Sequence, residues 1–327
     1  MSAKSAGNTG PGKNPATSYS TGDLYTESFL KSTLNKLITG LMYLLSLLPL
    51  SILYIISDFF YLLVRHVIRY RYAVVKENIS YAFPEKTNRE KQQIINSFYR
   101  HFSDLFLETI KLHSISEEEM ARRVKHEGID LLQQYYREGK SFIVLAMHHN
   151  NWEWCGYLLT QVKHHGLMVY NPIRGNQAME AFLLHSRERW GGKCIPVNQS
   201  ARVTLGFHQK KIPTMLWLGA DQTPPETSRF WTTFLNREAP FFSGPEKIAA
   251  KTNQAVFFQH MSKLSRGHYI TRYVLLTENP SEMEPKDILL AYIRKMEEII
   301  RQEPEYYLWS HRRWKHSRPE NIPLIEK

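Results

Sequence analysis

The sequence predicts an α/β fold in which a mixed, largely parallel sheet is flanked by helices, behind an N-terminal membrane-anchoring helix. Three stretches carry that prediction. Ser141 to Met147 is a short apolar run with β-branched members, bounded upstream by Gly139, and reads as a buried strand of a covered sheet. Between Leu167 and Leu218 strand-like and helix-like segments alternate at the spacing of parallel β-α-β units. Leu37 to Ile56 carries no charged residue and matches the ~20 residues that cross a hydrocarbon core.

In chain order, residues 1–28 are rich in Ser, Thr, Gly, Pro and Asn, cannot bury enough surface to order themselves, and predict a disordered tail. Residues 29–71 form the membrane anchor segment, with Pro49 placed to kink it and Asp58 interrupting its continuation. Lys31 and Lys36 precede the apolar run, whereas Arg65, Arg69, Arg71 and Lys76 follow it, so the positive-inside tendency puts the rest of the chain on the cytoplasmic side. Residues 72–327 make one globular domain. It begins with two helices broken at Phe83-Pro84 and a third from Ser116, where Ser116 and Glu119 have capping-box spacing. A helix over Ile129 to Arg137 leads into the central strand.

The chemistry gathers where that strand ends. His148, His149, Asn150, Asn151, Trp152 and Glu153 follow it, at the edge where open α/β sheets bind ligands. A strand-to-helix turn lets His148 and Glu153 converge, so the expected arrangement is a histidine base held by the Glu153 carboxylate, deprotonating a substrate hydroxyl without a serine or cysteine nucleophile. Asn150 or Asn151 can equally serve as the N-cap of the next helix. A metal site built from His149 and Glu153 at i, i+4 spacing, with His164 and His165 further on, lacks a third ligand at diagnostic spacing, so no metal is expected.

Further along, Arg174 follows the strand Leu167 to Tyr170, and Arg187 and Arg189 lie near the end of the helix Ala178 to Trp190. All three can clamp an anionic group, although cations at a helix carboxyl end also have a purely structural reason to be there. Asp221 and Gln222 follow the strand Thr214 to Leu218, which places them on the same rim as His148, or simply in a turn. The aromatic stretch Phe230 to Phe242 reads as a lip for an acyl chain or as core. Ala255 to His260 and His268 to Leu276 close the sheet, and Pro285 to Glu303 is an amphipathic helix. The basic tail Trp309 to Arg318, with Trp309 and Trp314, reads as an RNA-binding strip or as an interfacial one touching lipid headgroups. Cys155 and Cys194 fit neither a disulfide framework nor a zinc motif.

The spacing of His148 and Glu153 within AMHHNNWEW resembles the H-x4-D/E motif of the lysophospholipid acyltransferase superfamily, in particular the lipid A secondary acyltransferase family. Four more blocks resemble that family in order: YRYAVVKENISYAFPEKTNREK, GADQTPPE, FFSGPEKIAAKT and PEYYLWSHRRWK, together covering most of the chain from Tyr70 to Arg318. The resemblance implies a glycerolipid-acyltransferase-like fold and an enzyme that moves a fatty acyl group from acyl carrier protein to a hydroxyl of a lipid A precursor, at the bacterial inner membrane. It also implies His148 and Glu153 as the catalytic pair, with Asn151, Arg174, Arg187, Arg189, Asp221 and Gln222 at the substrate, and no cofactor. The PEGTRS-like block of glycerolipid acyltransferases is absent, which argues against a glycerolipid acceptor. Another lyso-lipid, such as an aminoacyl lipid, remains open.

Lys and Arg number 42 against 31 Asp and Glu, a formal charge of +11. So basic a chain suits an anionic partner, whether nucleic acid, an anionic membrane surface or an acidic protein. An acidic acyl carrier protein, an anionic lipid acceptor and the membrane are the partners expected, and nucleic acid is not. The rival from another class is a membrane-tethered basic binding protein without catalysis.

Overall fold

The computed structural model describes residues 27–327; the disordered tail expected over 1–28 lies, but for its last two residues, outside the described residues. The apolar N-terminal stretch forms two helices rather than one. α1 (Phe29–Leu47) is capped by the Ser28 hydroxyl, and Pro49, which has no N–H to donate, separates it from α2 (Leu50–Leu62), which runs on through one wide π turn, Leu63–Val67. The span Leu50–Val67 is long and apolar enough to cross a membrane by length and composition. Leu30, Leu34, Leu37, Leu41 and Leu44, spaced three and four apart, are exposed along one face of α1, and Ile52, Ile55, Phe59 and Leu62 are exposed on α2. So large an unpartnered apolar face marks an interaction surface.

The opposite faces are tied down by polar groups. Lys111 donates to the carbonyls of Ser46 and Leu48 at the end of α1 (2.8 and 3.0 Å). Asp58, which interrupts the apolar run in sequence, pairs with Arg266 at 2.9 Å. Arg266 and Ser57 both bond Asp104 (2.6 and 2.8 Å). The charge in the apolar segment is thus a latch onto the rest of the fold.

α3 (Tyr72–Ala82) and α4 (Asn88–Lys111) follow the predicted break, α4 opening with a full Thr87/Glu90 capping box. α5 (Glu117–Arg123) takes its cap from Ser116. Next come β1 (Val124–Glu127), a strand the sequence does not announce, α6 (Ile129–Arg137) and β2 (Phe142–Ala146), all five of whose residues are buried. A 3₁₀ segment (Trp152–Thr160), β3 (His165–Tyr170), α7 (Gln177–Glu188), β4 (Lys193–Pro196), α8 (Ser200–Gln209) and β5 (Thr214–Gly219) make up the alternating half. The hairpin β6 (Phe230–Phe234) and β7 (Arg237–Phe241) precedes α9 (Pro245–Thr252), β8 (Ala255–Ser265), β9 (His268–Thr277) and α10 (Pro285–Gln302).

The seven-stranded sheet has the order β1-β9-β8-β2-β5-β3-β4, with every pair parallel except β8 with β9. The chain leaves β2 for β3 and β4, then returns to β5 and crosses to β8. A crevice therefore opens at the carboxyl ends of β2 and β5, as expected at such a reversal. Helices cover both faces of this mixed, largely parallel sheet, and the principal core joins β2, β5 and β8 to α3, α4, α10 and the hairpin.

Candidate active site

Strand register assembles the site. Ala146 pairs with Gly219 across β2 and β5, so His148 and Asp221, each two residues further, meet at the sheet edge. His148 Nδ1 lies 2.7 Å from Asp221 Oδ1, and the His148 backbone N–H donates to Asp221 Oδ2 at 3.1 Å. Burial pushes the Asp221 carboxyl up, but the charge and hydrogen bonds of His148 outweigh this and hold it below its ordinary value. An ionised carboxylate only accepts, so Nδ1 carries the proton and Nε2 keeps the lone pair.

The expected hydrogen bond from His148 to Glu153 is thus corrected: the imidazole's carboxylate partner is Asp221. Glu153 lies in the first turn of the 3₁₀ segment, and its oxygens are held by Arg187 Nε and Nη2 (2.8 and 2.6 Å) and by Trp152 Nε1 at 3.1 Å. Burial raises the Glu153 carboxyl; Arg187 more than offsets this and leaves it lowered. Glu153 stays close enough for the His148 charge to act on it, and the Trp152 ring packs edge-on against the imidazole at 4.9 Å.

His148, Trp152, Glu153, Arg187 and Gln222 line a cavity of about 670 Å³. Its other walls are largely apolar and include Met168, Cys194, Met215 and Ile248, while Lys247 and Lys251 on α9 add two cations. A volume of this size suits a small-molecule or lipid-tail site. The lysines were not singled out in the sequence, although their i, i+4 spacing on a helix opened by Gly244-Pro245 was a usable signal.

The other expected substrate contacts stand elsewhere. Asn151 is fully buried, accepts from Trp154 N–H as the cap of the 3₁₀ segment and donates to Glu108 at 2.7 Å, so its observed role is local architecture. Arg174 lies exposed in the turn after β3, outside the cavity lining. Arg189 donates to the Leu112 carbonyl at 2.7 Å and lies over the Trp190 ring, also outside the lining. Most of the aromatic stretch is hairpin core, with Phe242 alone of its aromatic rings at the cavity. In the basic tail Trp309 and Arg313 are buried, at 0% and 1% exposure, while Arg312 and Lys315 are exposed.

Of the metal reading, His149 and Glu153 point to separate partners, and His164 bonds the Lys140 carbonyl. A different trio, His149, His260 and Glu303, brings ligand-type atoms within 4.8 Å of one another. Those atoms already serve the fold. His149 Nε2–H donates to the Glu303 carbonyl at 3.0 Å, and the Asn150 amide sits 3.3 Å from His149 Nδ1, knotting the turn after β2 to the end of α10. Both cysteines are free and buried.

A histidine bonded to an ionised carboxylate at the crevice of a largely parallel sheet, opening on a largely apolar cavity, is the equipment of an acid–base enzyme with room for an apolar substrate. The chain belongs to the bacterial lipid A biosynthesis acyltransferase family, whose model matches residues 26–316. Among its relatives, the lipid A biosynthesis palmitoleoyltransferase of Escherichia coli (strain K12) is 25% identical over 289 residues, covering 84% of this chain and 89% of that protein. The lipid A biosynthesis lauroyltransferase of the same organism is 21% identical over 290 residues, covering 87% and 92%. A lipid A biosynthesis acyltransferase of Haemophilus influenzae is 23% identical over 234 residues, covering 71% and 72%.

Proposed function

We propose that the protein is a membrane-associated O-acyltransferase that moves a fatty acyl group from acyl carrier protein to a hydroxyl of a phosphorylated lipid A precursor, on the cytoplasmic face of the bacterial inner membrane. The observation that carries this reading is the His148–Asp221 pair at the edge of the apolar cavity, in a chain of this family.

His148 Nε2 takes the proton of the acceptor hydroxyl as its oxygen attacks the thioester carbonyl, and Asp221 stabilises the imidazolium that forms. The tetrahedral oxyanion collapses, the C–S bond breaks, and the imidazolium returns its proton to the departing thiolate. Arg187, held by Glu153 and lining the cavity, supplies positive charge for the oxyanion. Lys247 and Lys251 suit the phosphate groups of acceptor or donor. The exposed apolar faces of α1 and α2, followed by the exposed Arg69, support attachment to an anionic leaflet, a basic side chain at that depth adding roughly 1 kcal/mol.

The test is purified protein in detergent, given acyl carrier protein loaded with a fatty acid and a lipid A precursor. His148→Ala is expected to lose at least about 10³-fold in transfer while keeping its melting temperature. Undiminished transfer in that variant refutes the assignment of the base.

A further inference from the structure

The two faces of the sheet are covered by different kinds of helix. Side chains alternate along a strand, so Val144, Met168 and Met215 pack on one side with Leu184 of α7, whereas Leu145, Leu167 and Leu216 pack on the other with Phe207 of α8 and Ile248 of α9. Right-handed crossovers require this: the chain runs outward from β3 to β4 through α7 and back from β4 to β5 through α8, so the two helices fall on opposite faces. The apolar helices belong to the side of α7. Leu50 and Leu53 of α2 share a core with Trp154, Tyr157 and Trp190, and Tyr43 of α1 packs edge-on against His113, which stacks on Phe182 of α7 at 4.2 Å.

The side of α8 and α9 is basic. Residues 197–211 contain no acid, and Arg202, His208, Lys210 and Lys211 are exposed there. On α9, Lys247 and Lys251 are exposed, while its single acid, Glu246, is buried with its oxygens taken by the Ser243 hydroxyl (2.7 Å) and the Gly244 N–H (2.8 Å). None of these arginines and lysines has an ion-pair partner among the described residues. Both helices start at the cavity, which Ala201 and Pro245 line, and run away from it toward the beginnings of β5 and β8. Lys247 and Lys251 therefore stand in the cavity wall, whereas Lys210 and Lys211 lie at the far end of α8, roughly 14 Å beyond its first turn. A phosphate held in the cavity reaches the first pair and not the second. A strip that long is covered by a macromolecule.

We infer that the basic face of α8 and α9 is the docking surface for the acidic acyl carrier protein, which presents its thioester to His148 from the side opposite the apolar helices. This rests on the functional reading above, in which a carrier protein is the acyl donor. A flat leaflet covering α1 and α2 does not reach this face, so its charge is left for a partner that arrives from water, where complementary charge speeds encounter and sets orientation. The cavity fits such two-sided access. Its wall passes from Gly156, Met168 and Cys194 on the side of α7 to Leu205 and Ile248 on the side of α8 and α9, with His148 between them. A lipid acceptor and a soluble donor can thus meet at the imidazole without sharing an entrance.

The experiment measures, by fluorescence anisotropy, the binding of acyl carrier protein bearing no acyl group to the full chain in detergent. It compares wild type with the charge-reversed variant Arg202→Glu/Lys210→Glu/Lys211→Glu, whose three positions lie outside the cavity lining. The reversal is expected to raise Kd by about tenfold or more and to flatten its dependence on salt. In the transfer assay the KM for the acyl carrier protein thioester should rise with it, while kcat and the KM for the lipid acceptor hold. Wild-type affinity in the variant overturns the docking surface, and so does a rise confined to the KM for the lipid acceptor, which would give the face to that substrate. Binding needs no turnover, so it stands or fails independently of the His148→Ala activity test. A wild-type chain that neither binds the carrier protein nor takes an acyl group from it sinks the functional reading and this inference together; binding that survives the charge reversal sinks the inference alone.

Discussion

Two carboxylates flank His148, and their surroundings differ. Asp221 lies on the closed side, 1% exposed and 2.7 Å from the imidazole. Glu153 lies on the cavity side, its oxygens occupied by Arg187 and Trp152, in the company of the substrate space. The same functional group thus faces a fixed internal partner on one side and a cation exposed to ligand on the other. Distance along the chain does not predict which is which: the nearer residue in sequence is the one not bonded to the histidine.

That contrast can be broken by substitution. Asp221→Asn is expected to lower kcat by about 10³-fold or more with little change in KM, because an amide can bond the wrong imidazole tautomer and cannot stabilise the imidazolium. Glu153→Gln should lower kcat less, by about 10- to 100-fold, and should also lower the melting temperature. It strands a largely buried Arg187, at a cost of about 3 kcal/mol, the low end of such losses because Arg187 keeps some contact with water. Steady-state kinetics and thermal melts of the two variants decide. A larger kcat loss in Glu153→Gln would reverse the roles and make Glu153 the imidazole's partner in the substrate complex.

A smaller perturbation sharpens the same comparison without touching either acid. A Cβ built on Gly219 would sit 3.0 Å from His148 Cε1 and 3.4 Å from Nδ1. Gly219→Ala should push the ring off Asp221 and lower kcat by about tenfold while the fold persists, since a displacement of this order is what catalytic geometry tolerates least. Unchanged kcat, with the histidine resonances unmoved, would mean the ring has room that the structure denies it.

The sequence was most legible where a segment's pattern follows from local forces. β2 could be read because a covered strand must be apolar throughout, and α4 because Thr87, Glu90 and the 3.6-residue stripe agree. β1 could not: Val124–Glu127 is four residues at the sheet edge, mostly polar, and is a strand only because β9 pairs with it. The partner of His148 was hidden for the same reason, since the pairing of Ala146 with Gly219 decides it and no local spacing encodes that. The WSHRRWK tail misleads because its charges look solvated, whereas backbone pairing with residues 148–150 draws Arg313 inside.

The smallest expected effect concerns stability and falls on the closed side. Burial pushes the His149 imidazole down to about 4, and His126 and His311 likewise to about 4. Unfolding would return each toward 6.5, so between those values the unfolded chain binds more protons and stability falls as the pH drops from about 6.5 toward 4. Asp221 and Glu153, both lowered, act in a different window: their contribution is present above the ordinary carboxylate range and is lost only as the pH falls through their folded values. Melting temperatures measured from pH 7.5 to 4.5 should therefore decline first through the histidines. His149→Gln should flatten that slope by up to about 1.4 kcal/mol per pH unit, the contribution of one such group. Asp221→Asn should leave the slope above pH 5 unchanged. If His149→Gln melts with the same slope as wild type, the knot it forms with Glu303 admits a protonated imidazole, and the closed side of the site is wetter than its hydrogen bonds imply.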